Sequence, residues 1–118
     1  MSQSKTEPDA AVGQRILVID DERVIGLSCQ RTLRPDGHQV DYYEDPQAGL
    51  RAGLSGDFDV VLVDLMMPSI AGLEILKQLK AASVPSEVVI ITGHSTVESA
   101  VEAMKQGAAD YLSKPFSP

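Results

Sequence analysis

The sequence predicts an α/β fold, a doubly wound parallel sheet of five strands with helices on both faces. Three observations carry that prediction. Ile16-Leu17-Val18-Ile19, Val60-Val61-Leu62-Val63 and Val88-Val89-Ile90-Ile91 are unbroken aliphatic runs of strand length, as expected of strands buried on both sides. Segments with a helical apolar period lie between them. Strand and helix therefore alternate, and right-handed crossovers then place helices over both faces of one sheet.

Each element has its own signal. Met1 to Gly13 is polar, contains Pro8 and has no apolar stretch. It reads as a flexible N-terminal tail (1–13) ahead of one domain over 14–118, and not as a secretory signal. After the first strand, Glu22 to Leu33 carries Ile25, Cys29 and Leu33 on one helical face. Val40 to Tyr43 is a weaker strand, suited to a sheet edge. Asp45-Pro46 has the form of an N-cap followed by proline at the first helical position. Leu73, Ile75, Leu76 and Leu79 form the apolar face of a third helix. In the fourth, Ser95 and Glu98 are spaced as a capping box, Val97, Val101 and Met104 share a face, and Gly107 stands at the C-terminal position. Ala109 to Leu112 is a last short strand. No internal repeat or low-complexity block interrupts this order.

Composition narrows the function. Apolar residues make up 43% of the 118 positions, with few aromatics and no Trp, so the core must be built from Val, Ile, Leu, Ala and Met. A formal net charge of −7 argues against the domain itself gripping nucleic acid or an anionic membrane. Cys29 is the single cysteine; it cannot form an internal disulfide and fits a reducing, cytoplasmic compartment as a small core residue. No apolar run approaches the ~20 residues that span a bilayer.

The chemistry lies at the strand ends. The first core strand ends in Asp20-Asp21, the next in Asp64, the next in Thr92-Gly93 and the last in Ser113-Lys114-Pro115. Open parallel sheets bind ligands outside the carboxyl ends of their strands, where the strand order reverses. Nothing local fixes that order, but 2-1-3-4-5 is the natural candidate and puts the crevice between the strands bearing Asp20, Asp21 and Asp64. Three carboxylates in one place require a cation or raised pKa values. Oxygen ligands suit Mg²⁺, or Mn²⁺ in its place. A carboxylate can also attack phosphorus to give an aspartyl phosphate, with Lys114 and Thr92 as partners for the phosphoryl oxygens. Taken singly, each residue has a plainer reading, such as Asp21 capping the helix that begins near Glu22. Their joint placement at successive strand ends is what argues for a site.

The set Val18-Ile19-Asp20-Asp21-Glu22, Val63-Asp64-Leu65-Met66-Met67-Pro68, Ile91-Thr92-Gly93-His94 and Tyr111-Leu112-Ser113-Lys114-Pro115-Phe116 resembles the receiver domain of two-component response regulators, from about Arg15 onward. That resemblance implies a flavodoxin-like sheet of order 2-1-3-4-5. It implies Asp64 as phosphoacceptor, with a sensor histidine kinase as donor. It further implies that Asp20, Asp21, Asp64 and the backbone carbonyl of Met66 hold the metal, Asp20 mainly through water, and that Lys114 pairs with the phosphoryl group. Thr92 and Tyr111 would form the switch, Met66 and His94 would modulate dephosphorylation, and the Lys114-Pro115 bond would be cis. A downstream output module, a transcriptional one in particular, is a further implied partner, and a homodimer is an assembly the family permits. The stretch from Ile91 to Phe116 is similar to receivers of enhancer-dependent, NtrC-type activators.

Two departures stand out. Ser69-Ile70-Ala71-Gly72 replaces the Gly-Met-Asp-Gly common in receivers. The sequence also stops at Pro118, where receivers add a fifth helix over the face that the first helix covers. The expectation is therefore a C-terminally truncated piece of a longer protein, or a partner chain in the gap. The domain is read as a phosphorylation-regulated signalling module and not an enzyme on other substrates. A haloacid-dehalogenase-like phosphatase would place Asp-x-Asp after the first strand, which Asp20-Asp21-Glu22-Arg23 lacks. A flavin binder would not place acids at the phosphate position. An unphosphorylated interaction domain would be expected to have lost one of these residues.

Overall fold

A computed structural model of the chain describes residues 13–114. The elements are β1 (Arg15–Ile19), α1 (Arg23–Leu33) with a 3₁₀ turn at Arg34–Asp36, β2 (Gln39–Tyr43), α2 (Pro46–Leu54), β3 (Val60–Asp64), α3 (Gly72–Ala81), β4 (Glu87–Thr92), α4 (Val97–Lys105) and β5 (Asp110–Ser113). The strands form one parallel sheet in the order β2-β1-β3-β4-β5. The predicted fold class and strand order both hold.

Alternate residues of each strand feed two cores. On one face Leu17, Ile19, Val61, Val63, Val88 and Ile90 pack against Leu50 of α2 and Ile75, Leu76 and Leu79 of α3. On the other, Ile16, Val18 and Val40 pack against Cys29, with Ile25 and Leu33 beside them. Cys29 is thus the buried core residue its helical spacing predicts. α1 covers mainly β1 and β2. Farther along its face Val60, Leu62 and Val89 are only partly buried, and Leu112 is exposed. Among the described residues no other helix lies on that face, as expected for a sheet lacking the fifth helix; residues 115–118 lie outside the described residues.

Local signals fare unevenly. Asp45 caps α2 as predicted, its carboxylate accepting from the Ala48 amide at 3.1 Å, with Pro46 following. Gly107 adopts φ 100°, the left-handed backbone that ends α4. The capping box, however, is Thr96 with Ser99 and not Ser95 with Glu98. Thr96 is the residue with extended backbone before the helix; its hydroxyl accepts from Ser99 N at 3.0 Å and Ser99 Oγ accepts from Thr96 N at 3.3 Å. Ser95 instead contacts the Ser113 hydroxyl. The apolar stripe of α4 also faces away from the core: Val97 is 78% exposed, and Val101 and Met104 are exposed too. Ala103, fully buried, is the α4 side chain that meets the core in their place.

Candidate functional site

The β1–α1 turn presents two acids with different surroundings. Asp20 is fully buried. Its Oδ1 accepts from the Glu22 amide at 2.8 Å, and its backbone carbonyl accepts from the Tyr42 hydroxyl at 2.7 Å. Asp21 does not cap α1. The N-cap position is Glu22, whose side chain makes no cap bond and instead accepts from Lys114 Nζ at 2.7 Å. This leaves Asp21 free to face the cleft, with its buried Oδ1 lacking a hydrogen-bond partner among the described residues.

Asp64 ends β3 and is only 4% exposed. The loop beyond it folds back tightly. Leu65 N donates to Ile91 O at 2.8 Å and Gly72 N to Leu65 O at 2.9 Å. A Cβ on Gly72 would lie 2.2 Å from the Asp64 carbonyl oxygen, so glycine is required where α3 begins. Ser69 turns this loop through φ 69°, where receivers often carry glycine.

One carboxylate oxygen from each of Asp20, Asp21 and Asp64 lies within 4.8 Å of the others. Lys114 completes the floor: its Nζ is 2.8 Å from Asp20 Oδ2, 2.7 Å from Glu22 Oε1 and 3.4 Å from Asp64 Oδ1. Its backbone is fixed by N–H donation to Thr92 O at 2.7 Å. Burial, and then the charge of Asp20, push the Asp64 carboxyl up to about 6, against the pull of Lys114. Burial raises Asp20 as well. Burial also works against the Lys114 charge, but its bonds to Asp20 and Glu22 outweigh that and hold it above the ordinary lysine range. The bond to Lys114 holds Glu22 below the usual carboxylate range. Such a site is electrostatically strained without a cation, and its donors are all hard oxygens.

The remaining predicted residues flank this floor. Thr92 is buried at the end of β4, and its Oγ1 accepts from the His94 amide at 3.0 Å. Met66 and His94 are exposed and line the cleft with Asp21, Asp64 and Lys114. Tyr111 does not reach the carboxylates; it is half-buried, with its hydroxyl hydrogen-bonded to Ser99 on α4. The Lys114-Pro115 bond lies outside the described residues. Three contributors escape sequence reasoning: Glu22 as a partner of Lys114, Tyr42 as support for Asp20, and Ser99 as partner of Tyr111. Only Glu22, adjacent to the acidic pair, carried any signal.

Comparison with known proteins agrees with this geometry. Residues 16–118 match the response regulator receiver domain. The chain belongs to that family. It is 44% identical over 101 residues to the transcriptional regulatory protein FixJ of Bradyrhizobium diazoefficiens, covering 86% of this chain and 49% of FixJ. It is 38% identical over 103 residues to the transcriptional regulatory protein QseB of Haemophilus influenzae, covering 87% and 47%. A response regulator protein from Burkholderia pseudomallei, solved with a phosphorylated aspartic acid, calcium ion and citrate, superposes with a TM-score of 0.81 at 29% identity over 88% of this chain and 61% of that one. The chain spans about half the length of these curated relatives. It is a receiver domain, a phosphorylation-regulated signalling module, and its acidic triad is consistent with a divalent metal site. No helix among the described residues is long and apolar enough to cross a membrane.

Proposed function

We propose that Asp64 accepts a phosphoryl group in a Mg²⁺-dependent reaction, with Mn²⁺ able to substitute, and that the phosphorylated domain controls an output module. The carrying observation is the convergence of Asp20, Asp21 and Asp64 within 4.8 Å, with the Lys114 ammonium 3.4 Å from Asp64 Oδ1. Asp20, Asp21, Asp64 and the Met66 carbonyl are the residues to hold the metal. The unpartnered, buried Oδ1 of Asp21 fits such a ligand. When bound, the metal neutralises phosphoryl oxygens during transfer. Asp64 supplies the attacking oxygen, and Lys114 and Thr92 hydrogen-bond the transferred group. The aspartyl phosphate and calcium ion of the Burkholderia protein support this reading by likeness.

Partners follow from the same likeness. A sensor histidine kinase is the natural donor, in the cytoplasm, and transcription the natural output, since the relatives are transcriptional regulatory proteins. The narrower resemblance to NtrC-type receivers rests on Ile91 to Phe116 alone, and these relatives do not single it out. Thr92 and Tyr111 are the switch residues of this reading, and Met66 and His94 flank the water path that sets the phosphorylated lifetime. Residues 14–118 are proposed as the receiver unit of a longer protein whose further helix closes the open face at Leu62, Val89 and Leu112; 1–13 are proposed as a tail. The test is phosphoryl uptake from acetyl phosphate with Mg²⁺, followed by intact mass. One phosphoryl group is expected on the wild type and none on Asp64→Asn. Uptake that persists in that variant overturns the assignment.

A further inference from the structure

The mouth of the acidic cleft carries one carboxylate that neither the metal triad nor the acceptor role accounts for. Glu22 has a side chain 59% exposed, yet its Oε1 is 2.7 Å from Lys114 Nζ, whose own side chain is only 8% exposed. Glu22 lines the cleft leading to Asp64 together with Met66 and His94. Lys114 Nζ stands in ion-pair distance of three acids, Asp20, Glu22 and Asp64, and its hydrogen bond goes to Glu22 Oε1. The shortest of these contacts goes to the solvent-facing acid.

We propose that Glu22 is a positioning and specificity-determining residue that restrains phosphoryl uptake: it ties Lys114 at the rim and selects against donors of high negative charge. The proposal rests on Asp64 being the acceptor. In uptake from an acyl phosphate, an Asp64 carboxylate oxygen forms a new bond to phosphorus. The bond from phosphorus to the acyl oxygen breaks, and the carboxylate product leaves with that electron pair. The incoming phosphoryl oxygens need N–H donors from Lys114, so an existing contact must be exchanged. Asp20 and Asp64 are buried beneath the lysine, whereas Glu22 can turn into water at little cost. Until it does, its charge sits beside the path of the anion.

The effect should scale with donor charge. Acetyl phosphate is a dianion at neutral pH; phosphoramidate is a monoanion there and leaves as ammonia when its nitrogen–phosphorus bond breaks. Removing one charge near the path should raise the dianion rate roughly threefold at low salt, and the monoanion rate by about the square root of that, roughly 1.7-fold. The experiment uses the 118-residue chain and its Glu22→Gln variant, each at saturating Mg²⁺. Initial rates of aspartyl-phosphate formation are read by intact mass with both donors, at low and high salt. The expected result is a faster Glu22→Gln protein, a larger gain with acetyl phosphate than with phosphoramidate, and a gain that shrinks as salt rises. An unchanged or slower rate with acetyl phosphate, or equal gains with both donors, overturns the proposal. A shift of more than about tenfold in the Mg²⁺ dissociation constant, measured by calorimetry without any donor, would make Glu22 a metal ligand and overturn it too. Failure of the underlying reading looks different, because it appears as labelling retained by Asp64→Asn.

Discussion

The two sides of the sheet are built to different standards. Around β1 both faces are filled, and β3 is sealed on the face it shares with β1: Leu17, Ile19, Val61 and Val63 lie under α2 and α3, and Ile16 and Val18 under α1. Around α4 and β5 the packing is thinner. α4 touches the core largely through Ala103 while Val97, Val101 and Met104 face outward, and Leu112 of β5 is exposed. The three carboxylates hang from the first side. Thr92, Tyr111 and Ser99 belong to the second. A charged floor that must hold three oxygens in fixed geometry needs dense support, whereas a responding flank needs a low cost of rearrangement.

The sharpest way to break this contrast is to cut each side equally. Ile19→Ala, which removes a fully buried side chain directly before Asp20, should cost about 3 kcal/mol through lost burial and cavity formation. Met104→Ala on the outward stripe of α4 should cost less than about 0.5 kcal/mol. Urea unfolding followed by circular dichroism measures both. Comparable losses would mean that the α4 stripe is structurally engaged and the contrast false.

A second contrast is electrostatic and belongs to the floor alone. Asp64 rises from 3.8 to about 6 on folding, so between roughly pH 4 and 6 the native state retains a proton that the unfolded chain has released. Metal-free stability should therefore fall as pH rises through that window, by on the order of 3 kcal/mol. Below the window the penalty is absent, and above it the penalty is complete. Asp20, also raised, adds in the same sense. Saturating Mg²⁺ should stabilise the domain more at pH 7 than at pH 5, and Asp64→Asn should flatten the metal-free slope. Thermal melts across pH, with and without Mg²⁺, would reveal a slope of the opposite sign if burial were not the dominant cause.

Sequence legibility follows the same division. The core strands were readable because residues buried on both faces must be uniformly aliphatic, and the strand-end acids were readable because topology converts position along the chain into position in space. α4 departs from its sequence signal at the cap, and its apolar stripe shows a limit of periodicity. Its stripe of Val97, Val101 and Met104 has the helical period of a core face, but periodicity identifies a shared face without saying which way it points. Here the buried face is the one that carries Ala103, a small residue that stands out less in a hydropathy pattern than Val or Met. The cap was displaced by one residue because Ser95 and Thr96 are both competent caps, and the choice depends on Ser99, which is not the usual acidic partner. Tyr42 carried no signal at all. Its role arises because Gly26 leaves space: a Cβ there would lie 2.3 Å from the Tyr42 ring.

That pairing yields a smaller prediction. Tyr42→Phe keeps the ring against Gly26 but removes the hydrogen bond to the Asp20 carbonyl. The loss should be about 1 kcal/mol of stability, accompanied by a severalfold weaker Mg²⁺ affinity, because the turn bearing both acids loses an anchor. Calorimetric titration of the variant would separate the two effects. Unchanged metal affinity beside reduced stability would confine Tyr42 to packing.

The least costly change falls on the flank. Ser99 both closes the α4 cap with Thr96 and holds the Tyr111 hydroxyl, so a single side chain links the start of the helix to the β5 tyrosine. Ser99→Ala keeps the bond in which the Thr96 hydroxyl accepts from the residue 99 amide, and loses the reciprocal bond, the contacts of the Ser99 hydroxyl with the Thr96 hydroxyl and carbonyl, and the tyrosine contact. Global stability should fall by less than about 1 kcal/mol. Hydrogen exchange should nonetheless quicken in the first turn of α4 and along β5, while amides of β1 and β3 keep their protection, since the opening is local and leaves the dense side intact. Ser99→Thr, which restores a hydroxyl, should recover most of the lost protection. If exchange quickened equally across the sheet, the flank would not be a separate unit, and the floor and the tyrosine would have to move together.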